Sequence, residues 1–187
     1  SALTLVAFLG GAPRDELDRL ADDLDETAAD CGPRSPRAVN AAKVMGEYAA
    51  TGGGLAVGED DVSLSAARLF AARALAWAGL PVAVADVRRD ERGIERAIYR
   101  SRREGGDDIF HDPYLDGPTA PPTMTLRIMV LAHGPSSGEQ RRVAETAQRE
   151  SVDVTVALPT ADTPLTRAAQ LYLIAQLAAA YTAVVAG

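Results

Sequence analysis

The stretch that decides the fold is GGLAVGEDDVSLSAARLFAARALAWAGLPVAVADV, residues 53–87. It opens with a short apolar run, continues into a longer segment rich in alanine, leucine and arginine, and returns to a second apolar run. Short runs that are apolar almost throughout are typical of strands buried on both faces, whereas the longer segment has the length and composition of a helix. The stretch therefore predicts a strand, a helix and a second strand parallel to the first.

The same alternation continues to the end of the sequence. We predict a polar helix over residues 89–104, a strand over 125–132, a helix over 136–150, a strand over 152–159 and an apolar helix over 163–185. Strands that alternate with helices build a parallel sheet covered on both faces. The predicted fold class is therefore α/β, a doubly wound sandwich with about four parallel strands.

Two helices are predicted upstream of the first strand. The first begins near Pro13 and ends at CGPRSP, with apolar residues at spacings of three and four on one face and acidic residues on the other. The second is predicted over residues 37–50 and ends at TGGG. We therefore divide the chain into an N-terminal helical segment, residues 1–50, and an α/β lobe, residues 51–187.

Composition and charge narrow the classes of protein. A chain of 187 residues with 47% hydrophobic and 24% charged residues has the size and composition of one globular domain. The formal net charge of -7 disfavours a general binder of nucleic acid or of anionic membranes, because clustered positive charge holds those partners. The single cysteine, Cys31, cannot form an internal disulfide, and the first residues do not match a secretory signal. We therefore expect a cytoplasmic protein.

The last apolar segment, LYLIAQLAAAYTAVVAG over residues 171–187, carries no charged residue. Thr163 followed by Pro164 is typical of the start of its helix, since a hydroxyl caps and proline suits the first helical position. The segment is short for a bilayer span and contains Gln176 and Thr182. A buried helix is therefore expected, and a membrane segment is the alternative.

Ligands of open parallel sheets lie outside the carboxyl ends of the strands, and three turns compete for that position: GEDDVSLS, AHGPSSGEQ and LPTADTPLT. The first has the glycines and serines of a phosphate loop but matches neither nucleotide fingerprint. Its acids Glu59, Asp60 and Asp61 would each repel a phosphate by about 1 kcal/mol, whereas a helix amino terminus attracts it by only about 0.3 to 1 kcal/mol. We expect these acids to complement the helix dipole, and Ser63 or Ser65 to help cap the helix.

The second turn is the better candidate for an anion site. It combines His133 at a strand end with the hydroxyls of Ser136 and Ser137 and with Gly138 at the start of a helix, and Glu139 is its only acid. The alternative is an ordinary capping box between Ser136 and Glu139, with a solvated histidine beside it.

The only long irregular segment is GGDDIFHDPYLDGPTAPP, residues 105–122. Loops of this length inside compact α/β domains are usually functional or bind a partner. Its acidic residues and His111 could suggest a metal site or an acid–base pair, but they have no recognised ligand spacing. We therefore expect no metal.

Four arginines recur at every fourth position of the polar helix: Arg88, Arg92, Arg96 and Arg100. Such a ridge of like charge repels itself and calls for acidic partners from outside the helix. The nearby Asp90, Glu91 and Glu95 offer some countercharge, and the acidic first helix is a further source. Given the overall negative charge, an intramolecular or subunit contact is favoured over nucleic acid.

Three stretches resemble one known family. NAAKVMGEYAA, residues 40–50, with the strand and alanine- and arginine-rich helix that follow it, resembles the opening of the second sugar-isomerase lobe of bacterial bifunctional phosphoglucose/phosphomannose isomerases. TADTPLTRAAQLYLIAQLAAAYTAVVAG, residues 160–187, is similar to the end of that lobe. DDIFHDPYLDGP, residues 107–118, is similar to a connector of actinobacterial-type members. The resemblance covers the chain from about Asn40 onward.

The resemblance implies a sugar-isomerase (SIS) domain, a flavodoxin-like three-layer sandwich that binds a sugar phosphate and works as a homodimer, here preceded by two helices. It implies a phosphosugar isomerase-like protein of carbohydrate metabolism that converts glucose 6-phosphate or mannose 6-phosphate to fructose 6-phosphate. This chain would be its C-terminal lobe, inactive alone, with an N-terminal SIS lobe or a second subunit as partner.

The family's catalytic glutamate and histidine fall in the region that holds Glu104 and His111 here, which makes these two residues the candidates for proton transfer. The resemblance implies no cofactor. The alternative function is a non-catalytic SIS-type module that binds a sugar phosphate or assembles with a partner lobe.

Overall fold

A computed structural model describes residues 14–51, 53–104, 125–135 and 137–187, without the side chains of residues 14, 15 and 102–104. The described residues form four strands, six α-helices and one 3₁₀ helix. In chain order these are α1 (Arg14–Asp30), the 3₁₀ helix (Arg37–Val39), α2 (Ala41–Ala50), β1 (Gly54–Gly58), α3 (Asp61–Ala78), β2 (Ala83–Asp86), α4 (Val87–Glu104), β3 (Arg127–Leu131), α5 (Gly138–Arg149), β4 (Asp153–Ala157) and α6 (Pro164–Ala186).

The four strands form one parallel sheet in the order β2-β1-β3-β4, so the predicted α/β fold with four parallel strands is confirmed. From β1 the chain moves outward to β2, then crosses back to place β3 on the other side of β1. The direction of winding therefore reverses between β1 and β3. In open α/β sheets the carboxyl end of such a switch point is where ligands bind.

Helices cover both faces of the sheet, as in a flavodoxin-like three-layer sandwich. An upper layer consists of α2, α3 and α6, with α1 packed on α6, and a lower layer consists of α4 and α5. Neighbouring strand residues point to opposite layers: Ala56 and Met129 enter the upper core, whereas Val57 and Ile128 enter the lower core. Each strand is therefore apolar almost throughout, which is the pattern that the sequence displays.

The apolar helix α6 lies at the centre of the upper layer, where it contacts α1, α2 and α3. Its buried side includes Leu171 and Ile174, together with Gln170, whose side-chain oxygen accepts a hydrogen bond from the amide of Ala161 at 3.2 Å. Among the described helices it alone is long and apolar enough to cross a membrane, with 39% of the tested window buried, and core helices of soluble proteins pass the same test. Its position in the upper core is the one that the buried-helix interpretation predicts.

The helix predicted over residues 37–50 is interrupted at Asn40. This residue is 1% exposed and has an extended backbone, with its side-chain oxygen accepting a hydrogen bond from the amide of Lys43 at 2.9 Å. Its side-chain nitrogen, Nδ2, donates a hydrogen bond to the backbone carbonyl of Gly32 at 3.1 Å. Asn40 therefore caps α2 and ties it to the end of α1, and the residues before it form only a 3₁₀ turn.

Two glycines mark places where the backbone comes too close for a side chain. A Cβ atom at Gly46 would lie 2.6 Å from the Cβ of Tyr181, where α2 crosses α6. At Gly58, a Cβ atom would lie 2.6 Å from the amide nitrogen of Leu64. Glycine at position 58 thus lets the first turn of α3 pack directly against the end of β1.

Candidate functional site

The candidate site lies at the switch point, outside the carboxyl ends of β1 and β3. It consists of the β1–α3 turn, residues 58–61, and the described part of the β3–α5 turn, residues 132–135 and 137–138. We call this the switch-point site. The two turns are neighbours because β1 and β3 pair along Gly54–Val57 and Arg127–Val130.

Asp60 and Ser63 form a reciprocal capping box at the start of α3. The carboxylate of Asp60 accepts a hydrogen bond from the amide of Ser63 at 2.7 Å, and the hydroxyl oxygen of Ser63 accepts from the amide of Asp60 at 3.0 Å. The hydroxyl also accepts from the amide of Glu59 at 2.9 Å. The prediction that the acids serve the helix is confirmed for Asp60, which caps it with Ser63, rather than Ser65, as partner, and for Asp61 in its first turn.

The surroundings of Asp60 favour its ionised form. Burial acts to raise the pKa of the Asp60 carboxyl, but the hydrogen bonds from Ser63 and the nearby His133 outweigh it, so the pKa lies below the usual value. Asp60 is therefore a carboxylate that the protein itself already holds in place.

Glu59 is neutralised by an arginine of the next helix. Its carboxylate lies 2.9 Å from the guanidinium of Arg88, and its side chain is only 11% exposed. The sequence predicted that Glu59, Asp60 and Asp61 together would repel an anion. Because the charge of Glu59 is paired with Arg88, the repulsion from this turn is smaller than predicted, although Asp61 is exposed and the Asp60 side chain is 43% exposed.

His133 connects three elements at the carboxyl end of the sheet. Its Nε2 donates a hydrogen bond to the carbonyl of Pro164, the first residue of α6, at 2.8 Å, while its Nδ1 lies 3.6 Å from the carboxylate of Asp60. The side chain is 18% exposed. The interpretation of a solvated histidine is therefore wrong, because both ring nitrogens face oxygen atoms of the protein.

The amino end of α5 is capped one residue later than predicted. The hydroxyl of Ser137 accepts a hydrogen bond from the amide of Gln140 at 3.1 Å, so Ser137 is the cap, and the predicted capping box from Ser136 to Glu139 is wrong. Ser136 itself lies outside the described residues. A hydrogen bond from its own amide, followed by one from Ser137, lowers the pKa of the Glu139 carboxyl. The carboxylate of Glu139 thus occupies the first turn of α5.

Two glycines leave open space around this amino end. Among the residues that the structure describes, none has an atom within 4 Å of a Cβ added at Gly134 or at Gly138. Unlike at Gly58, no described neighbour lies so close that it would exclude a side chain at either position. The β3–α5 turn can therefore admit a ligand close to its backbone amides.

The third turn is held rigidly at the start of α6. Thr163 is the cap, with its hydroxyl accepting from the amide of Thr166 at 3.1 Å, and Pro164 is the first helical residue, so the start predicted for this helix is confirmed. The guanidinium of Arg167 donates to the carbonyls of Ala161 at 3.3 Å and Asp162 at 3.1 Å. These contacts fix the loop between β4 and α6.

Beside this loop, α1 and α6 enclose a cleft of about 620 Å³. Its lining carries five carboxylates and one arginine, and we call it the acidic groove: Glu16, Asp22, Asp23, Glu26 and Asp162, with Arg19. Sequence reasoning did not find this groove, because its two walls are far apart in the chain and only the fold brings them together.

The structure brings together His133, Ser137 and Gly138, but places Glu104 elsewhere. Glu104 is the last residue of α4, a helix of 18 residues and therefore about 26 Å long, whose first residue follows β2 at the carboxyl end of the sheet. His111 lies outside the described residues. Within the described part of the chain, no group of three or more histidine, cysteine, aspartate or glutamate residues is placed to hold a metal.

Comparisons of this chain with protein-family models, with curated proteins and with solved structures gave no match. The function is therefore argued from the residues of the switch-point site and from the resemblance described above.

Proposed function

We propose that this chain is a sugar-isomerase-type lobe that binds a sugar phosphate at the switch-point site and supports aldose–ketose isomerisation only together with a second lobe. The main support for this proposal is the open space around the β3–α5 turn. This turn lies where the winding reverses between β1 and β3, and the exposed guanidinium of Arg88 lies at the same site. The phosphate would lie at the amino end of α5, where the helix dipole attracts anions.

The charges of the site support this assignment. Three of the four acids around the proposed phosphate have a partner within the protein: Glu59 has Arg88, Asp60 has Ser63 and His133, and Glu139 has Ser137, whereas Asp61 is exposed. Arg88 is 62% exposed and can turn from Glu59 towards an anion. Paired carboxylates repel an incoming phosphate less than free ones do.

Proton transfer is the step that this lobe does not supply from its described residues. An enediol mechanism needs a base close to the substrate carbon. His133 has both ring nitrogens turned towards protein oxygen atoms, and the carboxylate of Glu59 is paired and mostly buried. We therefore assign binding and positioning to this chain, and a non-catalytic SIS-type binding module is the second candidate, favoured by the same engagement of His133.

The binding proposal is tested by calorimetric titration of the chain with glucose 6-phosphate, mannose 6-phosphate and fructose 6-phosphate, with unphosphorylated glucose as control. We expect binding of the phosphates only, weakened about threefold to tenfold in Arg88→Gln, since one charge-assisted hydrogen bond is lost. Replacing both Ser136 and Ser137 with alanine should also weaken binding. Arg68→Gln, on the exposed face of α3, is the matched control. Absence of binding at millimolar concentrations would contradict the proposal.

The isomerase part is tested separately, with a coupled assay for fructose 6-phosphate formation from glucose 6-phosphate or mannose 6-phosphate. We expect no turnover by this chain alone, and turnover by the protein encoded by the complete reading frame if a second lobe is present there. Binding without turnover in that protein would favour the non-catalytic module.

A further inference from the structure

The outer face of α4 carries an arginine ridge: Arg88, Arg92, Arg96 and Arg100, all exposed. Arg88 pairs with Glu59. Within the described ranges, the other three arginines make no ion pair with an acid. Two acids of α4 are used elsewhere, since Glu91 lies 3.3 Å from Arg142 and Asp90 accepts a hydrogen bond from the amide of Asp86. Most of the ridge therefore lacks countercharge in this part of the chain.

The complementary surface of the same chain is the acidic groove. The helix that forms one of its walls, α1, has eight acidic and two basic residues among 17. Four of these acids line the groove, and Asp162 faces them from the loop before α6. The groove is concave, and its lining follows α1 from Glu16 to Glu26, about 15 Å of helix, so its acids form an elongated row that an elongated basic surface can meet.

The ridge and the groove cannot meet within one chain. The ridge is in the lower layer on the helix that follows β2, at one edge of the sheet, whereas the groove is in the upper layer beside the end of β4, at the opposite edge. The sequence hypothesis that α1 neutralises the ridge intramolecularly is therefore wrong. Countercharge from α1 can reach the ridge only from another copy.

We propose that the arginine ridge of one copy docks in the acidic groove of a second copy. The two helices match in length, with 18 residues in α4 and 17 in α1, each about 26 Å. Arginines four residues apart lie about 6 Å from each other along the helix, which is close to the spacing of acids three or four residues apart on α1. Charge complementarity thus specifies the partner.

The contact has a definite symmetry. Because the ridge and the groove lie at opposite edges of the sheet and in opposite layers, a bound pair still offers one free ridge and one free groove, and the contact generates chains or a closed ring rather than a two-fold dimer. Exposed ion pairs are individually weak and are screened by salt. We therefore expect reversible association, detectable at roughly 0.1 to 1 mM protein at low ionic strength. This inference does not rest on the proposed sugar-phosphate site.

The test uses sedimentation velocity at about 20 mM and about 500 mM NaCl, with the circular dichroism spectrum and thermal midpoint of every variant as folding controls. The wild-type chain should associate at low salt and be monomeric at high salt. Arg92→Glu/Arg96→Glu on the ridge and Asp22→Lys/Glu26→Lys in the groove should each lower the association constant at least about tenfold. Mixing these two variants should restore association, because each supplies the surface that the other lacks.

Two control variants with the same changes of charge test whether the contact between copies involves the ridge and the groove. Arg34→Glu/Arg68→Glu changes the net charge as the ridge variant does but lies outside α4, and Asp18→Lys/Asp25→Lys lies on α1 outside the groove; all four residues are exposed. Both controls should associate like the wild type. A wild-type chain that stays monomeric at low salt, controls that lose association equally, or a mixture that does not recover it would each overturn the proposal.

Discussion

At the scale of single residues, Glu139 places a carboxylate where the proposed phosphate would bind. Its carboxylate interacts with its own amide and with Ser137 on the first turn of α5. Replacing it with glutamine removes the charge and keeps the shape of the side chain. We expect Glu139→Gln to raise the affinity for glucose 6-phosphate roughly threefold to tenfold, equal to about 1 kcal/mol, in calorimetric titration. Glu145→Gln, two turns further along α5, is the control, and an unchanged affinity in Glu139→Gln would place the phosphate elsewhere.

A second prediction at this scale concerns Asp60. Asp60→Ala removes the cap of α3 and should lower the free energy of unfolding by about 1 kcal/mol, measured by urea denaturation near neutral pH. Asp60→Asn keeps a capping oxygen and loses the charge beside His133. Asp60→Asn should therefore lower the free energy of unfolding by only a few tenths of a kcal/mol. A decrease as large as that caused by Asp60→Ala would contradict the capping role.

The lowered pKa of Asp60 makes the free energy of unfolding depend on pH. This pKa is lower in the folded protein than in the unfolded chain, so ionised Asp60 stabilises the fold at pH values above the ordinary carboxyl pKa of about 3.9. The contribution is lost as the pH falls through the folded pKa. The difference in unfolding free energy between the wild type and Asp60→Asn should therefore be full above about pH 4 and be lost only as the pH falls further, through the folded pKa; a difference that stays constant as the solution is acidified would contradict this assignment.

At the scale of elements, the crossing of α2 and α6 depends on Gly46. Gly46→Ala would place a methyl group 2.6 Å from the Cβ of Tyr181 and 2.9 Å from the carbonyl oxygen of Ala178. Overpacking of this kind should destabilise the protein by about 1 to 3 kcal/mol in urea denaturation. Gly93→Ala in α4 is the matched control, since its Cβ atom would meet nothing within 4 Å. It should stabilise the protein by about 0.5 to 1 kcal/mol, because alanine is the better helix former.

The elements themselves were largely predictable, because helix and strand periodicity are local properties of the sequence. The structure has all four predicted strands, and helix starts such as Thr163 with Pro164 were correct. The predicted helix starts were wrong where a residue distant in sequence, or a competing neighbour, determines which side chain caps the helix. Asn40 interrupts the second helix because Gly32 is within reach of its side chain, and Ser137 caps α5 although Ser136 has the better motif.

At the scale of the whole molecule, the sheet has an open edge at β4. Among the described strands, β4 pairs only with β3, and at this edge Val156 in the strand is 44% exposed and Leu158 just after it is 48% exposed. Open apolar edges are sites of edge-to-edge aggregation, which a lysine on the edge opposes. We expect Val156→Lys to reduce light scattering during refolding while changing the unfolding free energy by less than about 0.5 kcal/mol. Leu75→Lys, at a residue of α3 that is 56% exposed, should leave the scattering nearly unchanged.

The candidate site was less predictable than the fold, because it depends on contacts between elements. The sequence singled out His133 and Ser137 from their position at a strand end. It could not reveal that His133 reaches Pro164, that Arg88 neutralises Glu59, or that α1 and the loop before α6 form a groove. Each of these depends on the strand order β2-β1-β3-β4, which periodicity does not encode.

The central position of α6 has a consequence for synthesis on the ribosome. The lower core is composed of residues from Leu55 to Val154, whereas the upper core also needs α6, which follows every other described element. Phe70 and Leu171 meet in that core, about 100 residues apart, a distance that translation covers in roughly 5 to 20 s. During this time α4 and α5 can pack on the lower face of the sheet, while the apolar faces of α2 and α3 that later contact α6 stay exposed. The nascent chain thus passes through a state with only one helical layer complete, and a chaperone can bind its exposed apolar surface.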